Sequence, residues 1–199
     1  MMETPADPPA PAEPTYMFRS SAIGGTHAFR LGEDALHWEV GRRAGRIPYS
    51  GISRIRLSYR PMTMQSRRFV AEIWSNAAPK LQIASTSWRS IMEQEAQDRP
   101  FGDFMRRLSE RVAASSAAAE FRTGSPLLLW GLGLLLFAGM LIAIPLLAFR
   151  TVTAGAAGGA LLIVAFLGLF IWQLGRFFWR NQPGEYDPLN VPTRVLPGG

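Results

Sequence analysis

The sequence has no cysteine. That excludes disulfides, thiolate metal sites and cysteine nucleophiles, and it fits a reducing compartment. Histidine is almost as scarce, with His27 and His37 the two in the chain. Neither has a second histidine or a carboxylate at helical ligand spacing, so no metal site is expected. Lysine is limited to Lys80, which leaves arginine to carry nearly all the basic charge. No glycine-rich phosphate loop, nucleophile elbow or zinc-protease motif is present. Glu33-Asp34 reads as turn chemistry after Gly32, and Ser85-Thr86-Ser87 has no base beside it in the sequence. These gaps point to a protein with no catalytic residues and no cofactor. The most telling absence is of charge: residues 126–149 and 152–172 contain no ionisable side chain.

About 20 apolar residues in helical form cross the hydrocarbon core of a bilayer, and a helix satisfies its backbone groups there without partners. The expectation is a helical transmembrane hairpin, with helices over 126–149 and 152–175. Arg106, Arg107, Arg111 and Arg122 precede the first helix, and Arg176 and Arg180 follow the second, against Arg150 alone at the turn. The positive-inside rule then puts both termini in the cytoplasm. Trp172, Phe177, Phe178 and Trp179 read as an interfacial aromatic belt. Gly139 with Ala143, and Gly155 with Gly159, have the small-x-x-x-small spacing that lets helices approach closely, reinforced by Ala156 and Gly158. Packing within the hairpin ranks above a homo-oligomer face. Gln173 near the boundary reads as a structural hydrogen-bonding group. No ionisable residue lies deep in either helix, which argues against a pump or channel.

Residues 1–15 are acidic and rich in Pro and Ala, and they read as a disordered tail without a signal peptide. Residues 16–122 read as one domain of short strands. His27 to Leu31 and Leu36 to Val40 alternate apolar and polar, with Gly32-Glu33-Asp34 as the turn between them. Arg43-Ala44-Gly45 reads as the next turn and Arg46 to Tyr49 as the start of a strand. Ile55, Leu57 and Tyr59 face one way while Arg54, Arg56, Ser58 and Arg60 face the other. Residues 67–75 and 81–88 complete six or seven strands, a small antiparallel barrel or sandwich. Ser90 and Glu93 have capping-box spacing for a short helical piece, which Pro100 separates from a main helix over about 101–115. In that helix Phe101, Phe104, Met105, Leu108 and Val112 form one apolar stripe, with Arg111 among the polar residues off it. Residues 113–119 read as a linker. A Pro-rich cytoplasmic tail covers 176–199 and reads as irregular beyond Arg180, with Tyr186 and Leu196 available to fold back on the β domain. The fold class is α+β.

A β domain closed by a C-terminal amphipathic helix is similar to pleckstrin-homology-like domains. The run Leu36-His37-Trp38-Glu39-Val40, a Gly-containing turn, Arg46-Ile47-Pro48-Tyr49, Ile52 and Ile55-Arg56-Leu57 resembles the opening strands of bacterial PH-like domains. As a whole, the chain resembles small alphaproteobacterial membrane proteins that pair such a domain with a helical hairpin. Many bacterial PH-like membrane proteins place their helices before the β domain, whereas here they follow it. The resemblance implies a multi-pass inner-membrane protein.

Residues 16–124 carry 17 Lys/Arg against 10 Asp/Glu. Arg42, Arg43, Arg46, Arg54, Arg56, Arg60, Arg67 and Arg68 fall in one stretch without an acid. PH domains that bind phosphoinositides use a basic turn followed by an R-x-R strand, and Arg43 with Arg54-Ile55-Arg56 is similar. Bacteria generally lack those lipids, so the resemblance implies phosphatidylglycerol or cardiolipin. Basic charge beside a bilayer favours anionic headgroups. A solvated arginine face is the alternative, and nucleic acid ranks last because the strand aromatics alternate inward. The expected function is non-enzymatic: a membrane-anchored PH-like domain that binds anionic lipid, a protein partner or a second copy of the chain, with an accessory subunit of a membrane enzyme or transporter complex as the alternative and an enzyme of unrecognised chemistry third.

Overall fold

The computed structural model describes residues 13–61, 67–90, 93–116, 118–155 and 157–197. Alternation of apolar and polar residues builds a first antiparallel sheet from β1 (Thr15–Arg19), β2 (Thr26–Leu31), β3 (Ala35–Val40) and β4 (Arg43–Pro48), in that spatial order. Phe29 lies opposite both Tyr16 and Trp38, and all three are buried. The turn into β4 is made at Gly41-Arg42, two residues earlier than Arg43-Ala44-Gly45. Gly41, at φ +63°, takes the left-handed position, and Arg43 already pairs with Val40. Gly45 instead lies in the strand opposite Trp38, where a Cβ would come within 2.9 Å of the indole. Its small size serves packing, not turning.

A short 3-10 turn over Tyr49–Gly51 carries the chain into a second sheet. Here β5 (Ile52–Tyr59), β6 (Phe69–Ser75) and β7 (Leu81–Ala84) are antiparallel neighbours. β8 (Thr86–Trp88) and β9 (Gln94–Ala96) form a separate small ribbon. That ribbon replaces the expected helical piece. The Ser90 and Glu93 backbones hydrogen-bond to each other across its turn at 3.4 Å. A capping box needs an apolar helical stripe behind it, and Gln94-Glu95-Ala96-Gln97 supplies none.

α1 (Asp98–Ser115) starts before Pro100, which sits in the first turn, where a missing N–H breaks no intrahelical bond. Phe101, Phe104, Met105, Leu108 and Val112 are each at most 3% exposed, so the apolar stripe closes the β core. Arg111 leaves the solvated side: it donates to the Leu31 and Gly32 carbonyls at the end of β2 and lies over the Tyr49 ring.

Beyond α1 the order of elements departs from the sequence reading. Residues expected in the linker lead directly into β10 (Glu120–Thr123), which pairs in parallel with β5, Phe121 beside Ile55. α2 (Leu127–Thr153) and α3 (Ala157–Arg180) follow, and then β11 (Gly184–Glu185) pairs antiparallel with β10, Arg122 opposite Glu185. The second sheet therefore has the order β11-β10-β5-β6-β7. The two apolar helices are the connection between two adjacent strands of one sheet. The segment after α3 is no free tail, since Tyr186, Val191, Val195 and Leu196 are all buried in the core cluster. The molecule is α+β, with mostly antiparallel sheets, the β10–β5 pair being parallel, and two long apolar helices towards its C-terminal end.

α2 and α3 pack along a seam of large side chains. Phe137 meets Phe170 and Phe178 at ring distances of 5.8 and 5.4 Å, and Trp130 meets Phe178 at 6.3 Å. Gly133 is the close-contact glycine, with a would-be Cβ 3.2 Å from the Phe178 ring. The expected small-residue pairs do not form this seam. Gly139 and Ala143 are exposed, and Gly139 faces open space. Gly155 lies in the interhelical turn at φ +82°, and a Cβ added at Gly159 would meet the Thr151 methyl at an ordinary 3.4 Å. Ala156 lies outside the described residues. The aromatic stripe sets the facing sides and rotates Gly139 and Ala143 outward. Arg150 lies inside the last turn of α2, so that helix runs past residue 149. Away from the seam the helices are bare: Leu128 is 83% exposed, Leu161 74% and Phe166 70%.

Candidate basic binding face

Strand alternation sends Ile55 and Leu57 of β5 into the core and Arg54 and Arg56 to the outer face of the second sheet. The registers then extend that face across the sheet in two rows. The first row reads Glu120, Arg54, Trp74. The second crosses all five strands and reads Glu185, Arg122, Arg56, Glu72, Gln82.

Charge on this face is partly internally paired. Glu120 accepts Arg54 Nε at 2.7 Å and lies 3.0 Å from Arg122 Nε. Arg54's hydrogen bond, with Arg122 alongside, holds the Glu120 carboxyl below the usual carboxylate range. Glu72 has a side chain only 3% exposed and is ringed by Arg60 at 3.1 Å, Lys80 at 3.0 Å and Gln82 at 3.1 Å. Burial pushes its carboxyl up, but Lys80's hydrogen bond, the Arg60 charge and Gln82 outweigh that and hold it below the usual range. Trp74 lies beneath three cations, with Arg54, Arg56 and Lys80 at 5.6, 5.2 and 5.5 Å from its ring. Arg56 has no carboxylate within ion-pairing distance among the described residues. Burial lowers its basicity; Glu72 opposes that, while Arg54, Arg122 and Arg60 reinforce it.

The eight arginines marked in the sequence separate into groups. Arg42, Arg43 and Arg46 lie exposed on the first sheet, in the β3–β4 turn and on β4. Arg54, Arg56 and Arg60 come together on the second. Arg67 is exposed and acts electrostatically on Asp98 at the start of α1. Arg68 is half-buried, and its basicity is lowered by burial and by Arg60. His37 lies opposite Arg46 on the first sheet, and His27 contacts Ser20 at 3.2 Å.

Sequence reasoning missed Glu72, Trp74, Lys80, Glu120, Arg122 and Glu185 as members of this face. Glu72 and Trp74 were legible by parity along β6. Arg122 and Glu120 were not, because their placement depends on a parallel pairing with a strand more than 60 residues earlier.

The same sheet edge holds the two helices in a fixed junction. Gly124 donates its N–H to the Leu57 carbonyl at 2.8 Å, and Ser125 donates to the Asn181 carbonyl at 3.1 Å. The buried Asn181 amide brackets the Tyr59 backbone, accepting its N–H at 3.1 Å and donating to its carbonyl at 2.7 Å. Trp130 Nε1 donates to the Phe178 carbonyl at 3.1 Å, and the Arg180 guanidinium lies over the Tyr59 and Phe69 rings. Comparison with protein-family models, curated proteins and solved structures finds no match to this chain.

Proposed function

We propose that α2 and α3 span the bacterial inner membrane and that the β domain is a non-enzymatic, PH-like binding module held against its cytoplasmic leaflet. The observation that carries this reading is the insertion of the hairpin between β10 and β11. It ties the apolar helices to the sheet that bears the basic face, through hydrogen bonds at both ends. At 1.5 Å per residue, α2 is about 40 Å long, enough for a hydrocarbon core of roughly 30 Å.

The face presents Arg54, Arg56, Arg60, Lys80 and Arg122 against Glu72, Glu120 and Glu185. That surplus of two positive charges is worth about 2 kcal/mol near an anionic leaflet. It orients the domain on anionic headgroups, while the hairpin provides the anchorage. The outward-facing Gly139 and Ala143 favour a second reading, an accessory subunit whose α2 receives a helix of a larger membrane complex.

Alkaline extraction of membranes from cells expressing the full chain tests the anchor, and the chain should stay with the pellet. A periplasm-active reporter fused after Gly199 should remain silent. For the face, anionic phospholipid retained through purification in mild detergent should fall in Arg54→Gln/Lys80→Gln. Unchanged retention would sink the lipid reading and leave a protein partner, sought among co-purifying chains.

A further inference from the structure

A cavity of about 290 Å³ opens where the basic face meets the start of α2, lined by Arg56, Arg122, Ser125, Leu127 and Glu185 among others. Its polar groups are sorted by sign. Arg122 and Arg56 are direct neighbours in the β10–β5 register, and Glu185 is the next residue across, on β11. Like charges side by side on one sheet face destabilise it unless an anion lies between them. The available carboxylates do not remove that conflict. Glu120 is shared between Arg54 and Arg122, and the Glu72 oxygens are engaged by Arg60, Lys80 and Gln82. Arg56 is thus a partly desolvated guanidinium with no carboxylate at ion-pairing distance among the described residues. At the opposite wall, α2 begins without a side-chain cap, so the positive end of its dipole adds to the same field. Leu127, 71% exposed, opens the apolar run from this wall.

We infer that this cavity holds the phosphoethanolamine headgroup of a membrane lipid, its phosphodiester between Arg56 and Arg122 and its ammonium at Glu185. Guanidinium donors match phosphate oxygens in charge and geometry, and the Glu185 carboxylate accepts from an N–H donor of the ammonium. The volume lies at the small end of ligand pockets, which run from roughly 300 to 1,000 Å³. It accommodates a headgroup while the acyl chains run outward beside Leu127 and the helix. The site rests on the reading that α2 and α3 span a bilayer, and it adds a single selected lipid to the unselective attraction of the basic face.

The test is native mass spectrometry of the full chain in mild detergent, titrated separately with phosphatidylethanolamine, phosphatidylglycerol and phosphatidylcholine. Phosphatidylethanolamine should bind the wild type tightest, with affinity about tenfold lower in Arg56→Gln/Arg122→Gln. Arg42→Gln/Arg43→Gln on the other sheet should bind like the wild type. The exposed Glu185→Gln tests selectivity independently of folding: it should abolish the preference for phosphatidylethanolamine over phosphatidylglycerol while the thermal midpoint stays unchanged. Equal binding of the three lipids by the wild type would overturn the site, as would wild-type affinity in Arg56→Gln/Arg122→Gln. Release of the chain by alkaline extraction would instead show that the membrane reading itself has failed.

Discussion

Leu196→Ala is the sharpest probe of whether the segment after α3 belongs to the β core. Leu196 is 1% exposed within a cluster that also holds Tyr186 and Val195. Tyr186 is attached in three ways: its N–H donates to the Phe121 carbonyl at 3.0 Å, its ring packs on Phe121 at 5.6 Å, and its hydroxyl lies 3.2 Å from that of Ser109 on α1. Truncating a fully buried leucine removes its transfer free energy and leaves a cavity, at a cost of about 2–5 kcal/mol. Domains of this size have roughly 5–15 kcal/mol of stability in all. One kcal/mol shifts the midpoint by about 4–8 °C in a small domain, so the drop should be on the order of 10 °C or more. Leu189 lies in the same segment but is 74% exposed, and Leu189→Ala should change stability by less than about 0.5 kcal/mol. Both variants, made in the full chain and followed by limited trypsin digestion over a temperature ramp in detergent, give the comparison. If Leu196→Ala and Leu189→Ala melt together, the segment is a surface tail and the burial argument is wrong.

Two further substitutions test the junction and the buried carboxylate. Gly124 sits at φ +73°, and a Cβ there would run into the Asn181 and Gln182 carbonyl oxygens. Gly124→Ala should therefore cost at least about 1–2 kcal/mol in left-handed strain, plus the collision, whereas Gly139→Ala, in open helix, should be neutral or stabilising; equal midpoints would refute the junction geometry. Glu72 is held below the usual carboxylate range in the fold by Lys80, Arg60 and Gln82, and the carboxyl returns to about 4.3 on unfolding. Its stabilisation is complete above that value and is lost as pH falls through the lower folded value. Thermal midpoints measured down this acid limb should fall less steeply in Glu72→Gln than in the wild type, with the contribution of Glu120 remaining, and an unaltered slope would contradict the pairing.

What was legible in the sequence were patterns with a local physical cause. The alternation in Ile52–Tyr59 gave its inner and outer faces, the stripe from Phe101 to Val112 gave the buried side of α1, and the uncharged runs gave two long helices. The readings that failed involved local signals with more than one cause. Gly45 marks a tryptophan's packing partner as readily as a turn, and Ser90 with Glu93 can close a ribbon as well as cap a helix. Small-x-x-x-small spacing does not say which side of a helix its neighbour will occupy; in this hairpin Trp130, Phe137 and Phe178 decided that. The candidate site was half visible. Arg54-Ile55-Arg56 announced itself by parity, but Arg122, Glu120 and Glu185 join it only through β10 and β11. Those strands have four and two residues, too short to carry a period, and their placement depends on non-local pairing.

The insertion also answers a geometric question. Adjacent strands lie about 4.8 Å apart, whereas packed helices need roughly 8–10 Å between axes. Two helices cannot leave neighbouring strand ends without a widening step. Residues 124–126 on the way out and 181–183 on the way back provide it. The left-handed Gly124 turns the outgoing chain against the returning one, the Ser125 N–H ties to the Asn181 carbonyl, and Pro126 and Pro183 each fix one backbone angle beside the gap. Asn181 then spends its side chain on the Tyr59 backbone, as a paired strand residue would use its own N–H and carbonyl. The step is therefore stiff on both sides. Both ends of the hairpin are thus hydrogen-bonded to β5, the strand that carries Arg54 and Arg56.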